Sequence, residues 1–175
     1  MGSEYGGVAT SGRDAAYRDR MRVDAASRFI AAEPADVFAA FTDPALMLQW
    51  LPPDGMTARF EWFDASTGYR MVLHYEQAPA GGGKASAEAD VAEVRRVEVD
   101  GPERLVEQVD FPSDDPAFAG TMTMTWTFTE GDGGTYVDVE ATDVPPGIDP
   151  DDHAVGLASS LAHLAQLVEG GSGIR

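Results

Sequence analysis

A single carboxylate stands among apolar residues in the segment LVEQVDF, residues 105–111. Glu107 shares its parity with Leu105, Val109 and Phe111, so in a strand all four side chains point to one face. A carboxylate on an apolar face needs a charged partner or a raised pKa, and either feature is typical of a functional site. Glu107 is therefore the candidate catalytic residue, and a bulge that turns it outward is the alternative.

Two tyrosines supply the hydroxyl groups that such a site would use. In GYRMVLHYE, residues 68–76, Tyr69 and Tyr75 share one face of a predicted strand with Met71 and Leu73. A carboxylate together with a tyrosine hydroxyl can perform general acid–base chemistry.

Other kinds of reactive site are excluded by residue type or spacing. The chain has no cysteine, so thiolate metal sites, disulfides and cysteine nucleophiles are ruled out. His153 and His163 lie about 15 Å apart along a helix axis and cannot share a metal ion. The segment GGGKAS lacks the spacing of a phosphate-binding loop, and no GxSxG motif is present. The sequence predicts no metal and no cofactor.

Most residues that could contact a ligand are large and apolar. In GTMTMTWTFTE, residues 120–130, threonines alternate with Met122, Met124, Trp126 and Phe128, which predicts a strand with one apolar face. Ligand pockets are typically lined in this way, although a filled core remains the alternative for each residue. The predicted ligand-binding residues are Trp50, Phe60, Trp62, Tyr69, Met71, Leu73, Tyr75, Glu107, Val109, Phe111, Met122, Met124, Trp126, Leu157 and Leu161.

Two short helices are predicted after a first strand at residues 21–32. Each begins with an acidic residue followed by proline, at Glu33-Pro34 and at Asp43-Pro44. Pro52-Pro53 ends the second helix, because proline cannot continue the hydrogen-bond ladder. Trp50 lies just before this break, and we expect it either to wall the mouth of a cavity or to anchor the core.

The remaining pattern predicts strands followed by one long helix. The strands are expected at residues 56–64, 68–76, 89–101, 103–111, 120–130 and 135–142. Asp149 and Pro150 start the helix, and Gly170 follows its end. An α+β fold is therefore predicted, in which a curved antiparallel sheet of about six to seven strands wraps around the C-terminal helix. A cavity is expected between them.

Composition indicates one acidic domain. The 175 residues carry 30 acidic and 12 basic side chains, a formal net charge of −18. We interpret residues 1–20 as a mobile arm, 21–171 as the domain and 172–175 as a tail, with Met21 as an alternative start. The negative charge argues against nucleic acid, and no apolar run suits a membrane span or a secretory signal, so a cytoplasmic monomer or homodimer is expected. The acidity reflects compositional bias or a face that docks a basic partner.

The order of the motifs resembles the START-like superfamily (SRPBCC, the helix-grip fold). Within it, the chain is most similar to bacterial proteins related to the activator of the heat-shock protein 90 ATPase. The resemblance is carried by VFAAFTDPALMLQWLPPDGM (37–56), GYRMVLHY, PERLV (102–106), TMTMTWTFTEGDGGTYVDVEAT and VPPGIDPDDHAVGLASSLAHLAQLVEG. Val109 stands where the family often has an aromatic residue, and Thr67-Gly68 where it usually has paired glycines.

The resemblance implies binding of a small hydrophobic or amphipathic molecule in the cavity between the sheet and the helix. It leaves open whether a reaction follows, and binding without transformation is favoured because no catalytic constellation is evident. The alternatives are a polyketide cyclase or aromatase-like enzyme, and a co-chaperone module that stimulates a chaperone ATPase.

Overall fold

The computed structural model describes residues 22–77 and 89–171. The elements follow the predicted order and confirm the predicted α+β architecture of an antiparallel sheet and a long C-terminal helix. They are β1 (Val23–Ile30), α1 (Pro34–Ala39), α2 (Pro44–Trp50), β2 (Met56–Asp64), β3 (Gly68–Tyr75), β4 (Ala89–Asp100), β5 (Arg104–Asp110), β6 (Thr121–Gly131), β7 (Gly134–Thr142) and α3 (Pro150–Gly171), with a 3-10 turn at Pro116–Phe118. The predicted arm, residues 1–20, and tail, residues 172–175, lie outside the described residues.

All seven strands form one antiparallel sheet in the order β1-β7-β6-β5-β4-β3-β2. The first two strands of the chain are therefore the two edges of the sheet. The helices α1 and α2 carry the chain from one edge to the other.

The helix boundaries follow from capping chemistry. The carboxylate of Asp43 accepts hydrogen bonds from the backbone N–H groups of Ala45 (2.9 Å) and Leu46 (3.4 Å) at the start of α2. Asp149 does the same for the first turn of α3, where its Oδ1 lies 2.9 Å from the N–H of Asp151. These caps satisfy donors that have no partner inside the helix.

The long helix covers only part of the inner face of the sheet. Its main backbone neighbours are β1 and α2. Beneath it lies a close-packed group that we call the helix-side core: Ile30, Val37, Ala40, Phe41, Trp50, Leu105, Trp126, Phe128, Val137, Val139, Leu157, Leu161, Leu164 and Ala165. Among the described residues, no helix is long and apolar enough to cross a membrane.

The hollow expected directly beneath the long helix is filled. The ring of Phe41 packs between Trp50 and Trp126, with centroid distances of 4.5 and 5.0 Å. The exposed fractions of Trp50, Trp126 and Leu161 are 0%, 2% and 1%, so none of them borders an open space. Trp50 is thus a core anchor, which is one of its two predicted roles, and it does not wall a cavity mouth. Its Nε1 donates to the carbonyl of Ala40 at 2.8 Å, which satisfies the buried indole.

Candidate functional site

A bulge in β2 decides which aromatic side chains reach the inner face. Phe60 pairs with Met71, but the next aligned pair is Trp62 with Arg70, so Glu61 is the extra residue. One extra residue reverses the alternation that follows. Trp62 is consequently 48% exposed, and its predicted place in the ligand-binding set is wrong. Phe63 takes the inward position instead and stacks on Tyr69 with ring centroids 5.9 Å apart.

The other half of the inner face carries a second apolar group, which we call the open-side cluster. Its buried members are Met47, Tyr69, Met71, Ala92, Val94, Val109, Met122, Ala141, Val144 and Ile148. Around them lie apolar side chains that are only half-buried. These are Leu51, Ala58, Phe60, Phe63, Leu73, Phe111, Phe118 and Met124.

The structure therefore divides most of the predicted ligand-binding residues between two places. Trp50, Trp126, Leu157 and Leu161 belong to the helix-side core. Eight others come together in the open-side cluster, and among them the half-buried side chains keep apolar surface available. These eight are Phe60, Tyr69, Met71, Leu73, Val109, Phe111, Met122 and Met124.

A cleft of about 510 Å³ lies between the start of β2 and α3. Its walls include Met56 and Ala58 from β2, and His163, Gln166 and Leu167 from α3. Met56 and Ala58 share the parity of Phe60, so the cleft adjoins the inner face of the sheet. The remaining lining residues are Leu48, Gln49, Pro52, Pro53, Asp54, Gly55, Thr57 and Glu76.

Side chains of α3 hold the turn that forms the rim of this cleft. Pro52 and Pro53 have no backbone N–H and cannot donate hydrogen bonds within the turn. His163 contacts the Pro52 carbonyl through Nδ1 (3.0 Å) and the Asp54 carboxylate through Nε2 (2.6 Å). Ser159 Oγ accepts a hydrogen bond from the Asp54 N–H at 2.9 Å. The rim is therefore fixed to the helix.

Glu107 points inward, as its parity predicts, and it has a charged partner. The Nε of Arg96 donates to Glu107 Oε2 at 3.3 Å, and the Nε1 of Trp126 donates to Oε1 at 3.1 Å. The guanidinium of Arg96 is itself fully buried and also donates to the carbonyls of Phe41 (2.6 Å) and Ala65 (2.7 Å). Both carboxylate oxygens of Glu107 are thus engaged.

Arg96 is a buried residue that the sequence analysis missed. It shares its parity on β4 with the inward residues Ala92 and Val94, so the alternation alone could have placed it inside. An arginine is rarely fully buried without a partner, and the partner lies on a different strand.

Burial governs the protonation of the inward acidic groups. Desolvation raises the pKa of Glu107, whereas the charge and hydrogen bond of Arg96 and the indole of Trp126 act in the opposite direction. Desolvation also raises the pKa of the Tyr69 hydroxyl, and the negative charge of Glu107 adds to this effect. The tyrosine is therefore a neutral hydrogen-bonding group and a weak proton donor near neutral pH.

A second buried carboxylate lies close to the open side. Asp90 is 2% exposed and shares the inward parity of Ala92 on β4. The hydroxyl of Tyr75 donates a short hydrogen bond to it, and burial, followed by this contact, raises the pKa of Tyr75. Asp90 was not predicted, although the same alternation on β4 indicates it. No group of three or more metal-ligating side chains occurs among the described residues.

A family model identifies the kind of protein that shares this architecture. The model of the Activator of Hsp90 ATPase homolog 1-like protein family matches residues 31–169, from the end of β1 to the last turns of α3. A search of curated proteins finds no match.

Several solved structures have the same fold. A protein from Chromobacterium violaceum is 28% identical with a TM-score of 0.73, covering 84% of this chain and 96% of that one. The AHSA1 protein from Silicibacter pomeroyi is 19% identical with a TM-score of 0.66, covering 85% and 98%. DynU16, a protein in the dynemicin biosynthetic locus, is 20% identical with a TM-score of 0.60, covering 85% and 48%. The last two likenesses show the fold alone.

Proposed function

The chain belongs to the family of Activator of Hsp90 ATPase homolog 1-like proteins, and on that premise we propose that it binds one small hydrophobic or amphipathic molecule. The binding surface is the open-side cluster, and the cleft between β2 and α3 is its entrance. The family relationship, and the fold shared with a solved structure of the same architecture, support a ligand-binding domain.

The observation that carries this proposal is the half-buried apolar surface that α3 leaves uncovered. Phe60, Leu73, Phe111 and Met124 lie on the inner face, and each keeps part of its surface accessible. When a ligand covers apolar side chains, the free energy of the complex falls by about 25 cal/mol for each Å² of apolar surface that is buried. The adjoining cleft, at about 510 Å³, is within the size range of small-molecule sites. Met71, Met122 and Met124 can adapt to different ligand shapes.

A ligand screen with paired variants tests the proposal. We expect one or more lipids, flavonoids or polyketides to raise the melting temperature and to give a one-to-one complex in native mass spectrometry. Because burying a Phe side chain contributes about 1.5–3 kcal/mol, Phe60→Ala should weaken that complex about tenfold or more. Trp62→Ala is the matched control, since Trp62 lies on the same strand beyond the bulge and faces outward. Equal effects of the two substitutions, or uniform silence in the screen, would contradict the proposal.

A cyclase-like reaction is the second candidate. DynU16 belongs to a biosynthetic locus, so biosynthetic intermediates should be included in the screen. The geometry gives Glu107 a different primary role, because Arg96 and Trp126 occupy both of its oxygens. A variant Glu107→Gln that keeps ligand binding and abolishes turnover of a bound intermediate would favour the enzyme.

Stimulation of a chaperone ATPase is the third candidate and would use a protein-docking surface rather than the inner face. Phe60→Ala should then leave the stimulation unchanged. A pull-down with the cell's own chaperone that recovers nothing would retire this candidate.

A further inference from the structure

We propose that the polar end of the ligand carries a positive charge, so that the protein prefers cationic amphiphiles to fatty acids and other anionic ones. This inference rests on the proposed function and adds the charge class of the ligand. It follows from the charges that surround the open-side cluster and its entrance.

The two described arginines at the inner face already have partners. Arg22 donates to the Asp24 carboxylate and to the Ile148 carbonyl. The guanidinium of Arg96 already donates to Glu107, to the Phe41 carbonyl and to the Ala65 carbonyl. It also lies 5.6 Å from the ring centroid of Tyr69 and is fully enclosed. A ligand carboxylate would have to break this network to reach it, which would leave Glu107 buried without a partner.

The entrance presents carboxylates and no described lysine or arginine. Asp54 and Glu76 line the 510 Å³ cleft, and both also line an adjoining cleft of about 500 Å³ that includes Tyr75 and Gln77. Asp54 is tied to His163, whereas the exposed carboxylate of Glu76 makes no hydrogen bond or ion pair with a described residue. Glu76 can therefore accept a ligand ammonium group.

The remaining charges near the entrance do not reverse this balance. Both ring nitrogens of His163 are already in contact with Pro52 and Asp54. On the inner face, the buried carboxylate of Asp90 accepts the hydrogen bond of Tyr75, and Asp24 is paired with Arg22 and His153.

Simple electrostatics then ranks three kinds of ligand that share one apolar chain. An anionic head group is repelled by the carboxylates of the entrance, and a neutral head group has little electrostatic interaction with them. An ammonium head group is attracted to the Glu76 carboxylate, although solvent and salt partly screen this attraction. Exposed ion pairs of this kind are worth a factor of about two to five in affinity. The expected order of affinity is therefore cation, neutral, anion.

The test compares decylammonium, decanol and decanoate by isothermal titration calorimetry at near-physiological ionic strength, below the concentrations at which they form micelles. We expect one-to-one binding in the predicted order. Glu76→Gln should weaken decylammonium about two- to fivefold and leave decanol unchanged. Glu130→Gln is the matched control, because it removes the same charge from the exposed end of β6, away from both clefts. It should change neither affinity, which separates the local carboxylate from the general attraction of an acidic protein for cations.

Two results would overturn the charge preference and leave the binding site in place. One is decanoate binding as tightly as decylammonium, with both sensitive to Phe60→Ala. The other is an equal loss of decylammonium affinity in Glu76→Gln and Glu130→Gln. Failure of all three probes to bind would instead overturn the proposed function itself, and the charge preference with it.

Discussion

At the scale of single residues, the Arg96–Glu107 pair joins parts of the chain that are distant in sequence. Arg96 on β4 donates to the Phe41 carbonyl, in the connection between the two short helices, and to the Ala65 carbonyl, in the β2–β3 hairpin. Glu107 on β5 accepts from Trp126 on β6. The pair thus lies between the helix-side core and the open-side cluster and fixes their relative position.

Removing the carboxylate of Glu107 should destabilise the protein strongly. In Glu107→Leu the buried guanidinium keeps its charge and loses its counter-ion, which costs roughly 3–5 kcal/mol of unfolding free energy. Glu98→Gln provides a control, because Glu98 and Arg104 form an ion pair with the same 3.3 Å separation but are 46% and 48% exposed. Its loss should cost less than about 1 kcal/mol. Urea denaturation measures the unfolding free energy of both variants. Similar losses would show that burial does not determine how much the Arg96–Glu107 ion pair contributes to stability.

Asp24 should make the stability of the fold sensitive to acid. The hydrogen bonds from Arg22 (2.9 and 2.7 Å), with the contact to His153 (2.7 Å), lower the pKa of Asp24 below its ordinary 3.8. A carboxyl whose pKa is lower in the folded state contributes its full stabilisation above the unfolded pKa. That stabilisation is lost as the pH falls from about 4 through the folded pKa.

Comparison with Asp24→Asn isolates this contribution. The difference in unfolding free energy between the native protein and the variant should shrink as the pH falls from about 4 to about 3. Asp132→Asn, in the exposed β6–β7 turn, should show no such change. A difference for Asp24→Asn that stays constant down to pH 3 would contradict the assignment.

At the scale of elements, the sequence was sufficient for the order and type of the α-helices and strands described, but not for the 3-10 turn at Pro116–Phe118. Proline, glycine and capping aspartates mark the ends of these elements, and those signals are local. In β6 the alternation places Met122, Trp126 and Phe128 inside, as predicted. The prediction failed at Trp62, because the bulge at Glu61 depends on pairing with β3 and leaves no mark in β2 itself.

Long-range packing explains what else could not be predicted. The stripe of leucines on α3 shows that the helix docks on the sheet, but it does not show which half of the sheet it covers. The structure places α3 over β1 and α2, so Leu157 and Leu161 fill the core rather than line a pocket. Arg96 was missed for a related reason, because the partners that allow it to be buried come from β5 and two connecting segments.

Fluorescence quenching can test the bulge directly. Of the three tryptophans, Trp50 and Trp126 are buried and Trp62 is exposed, so acrylamide should quench mainly Trp62. In Trp62→Phe, the accessible fraction of the emission should nearly disappear, with the unfolding free energy changed by less than about 0.5 kcal/mol. Acrylamide is preferred to iodide because the acidic protein repels anions. Persistent quenching in the variant would place one of the other tryptophans at the surface.

At the scale of the whole molecule, the dominant feature is the excess of negative charge. On the outer face of the sheet several arginines are paired with acidic neighbours, such as Arg70 with Glu61 and Glu93. These pairs neutralise only part of the negative charge, and the chain as a whole keeps an excess of 18 negative charges. Repulsion among the excess charges opposes the compact state and disfavours anionic partners.

Salt should therefore stabilise the protein in a saturating manner. Screening shortens the range of repulsion to about 10 Å at 0.1 M salt and about 3 Å at 1 M, so most of the benefit arises at low concentration. We expect sodium chloride to raise the melting temperature by about 2–4 °C, with most of the rise below roughly 0.2 M. At pH 5, where protonation has removed part of the negative charge, the rise should be smaller. A rise that is linear in salt, and equal at both pH values, would indicate exclusion of ions from apolar surface instead of relief of repulsion.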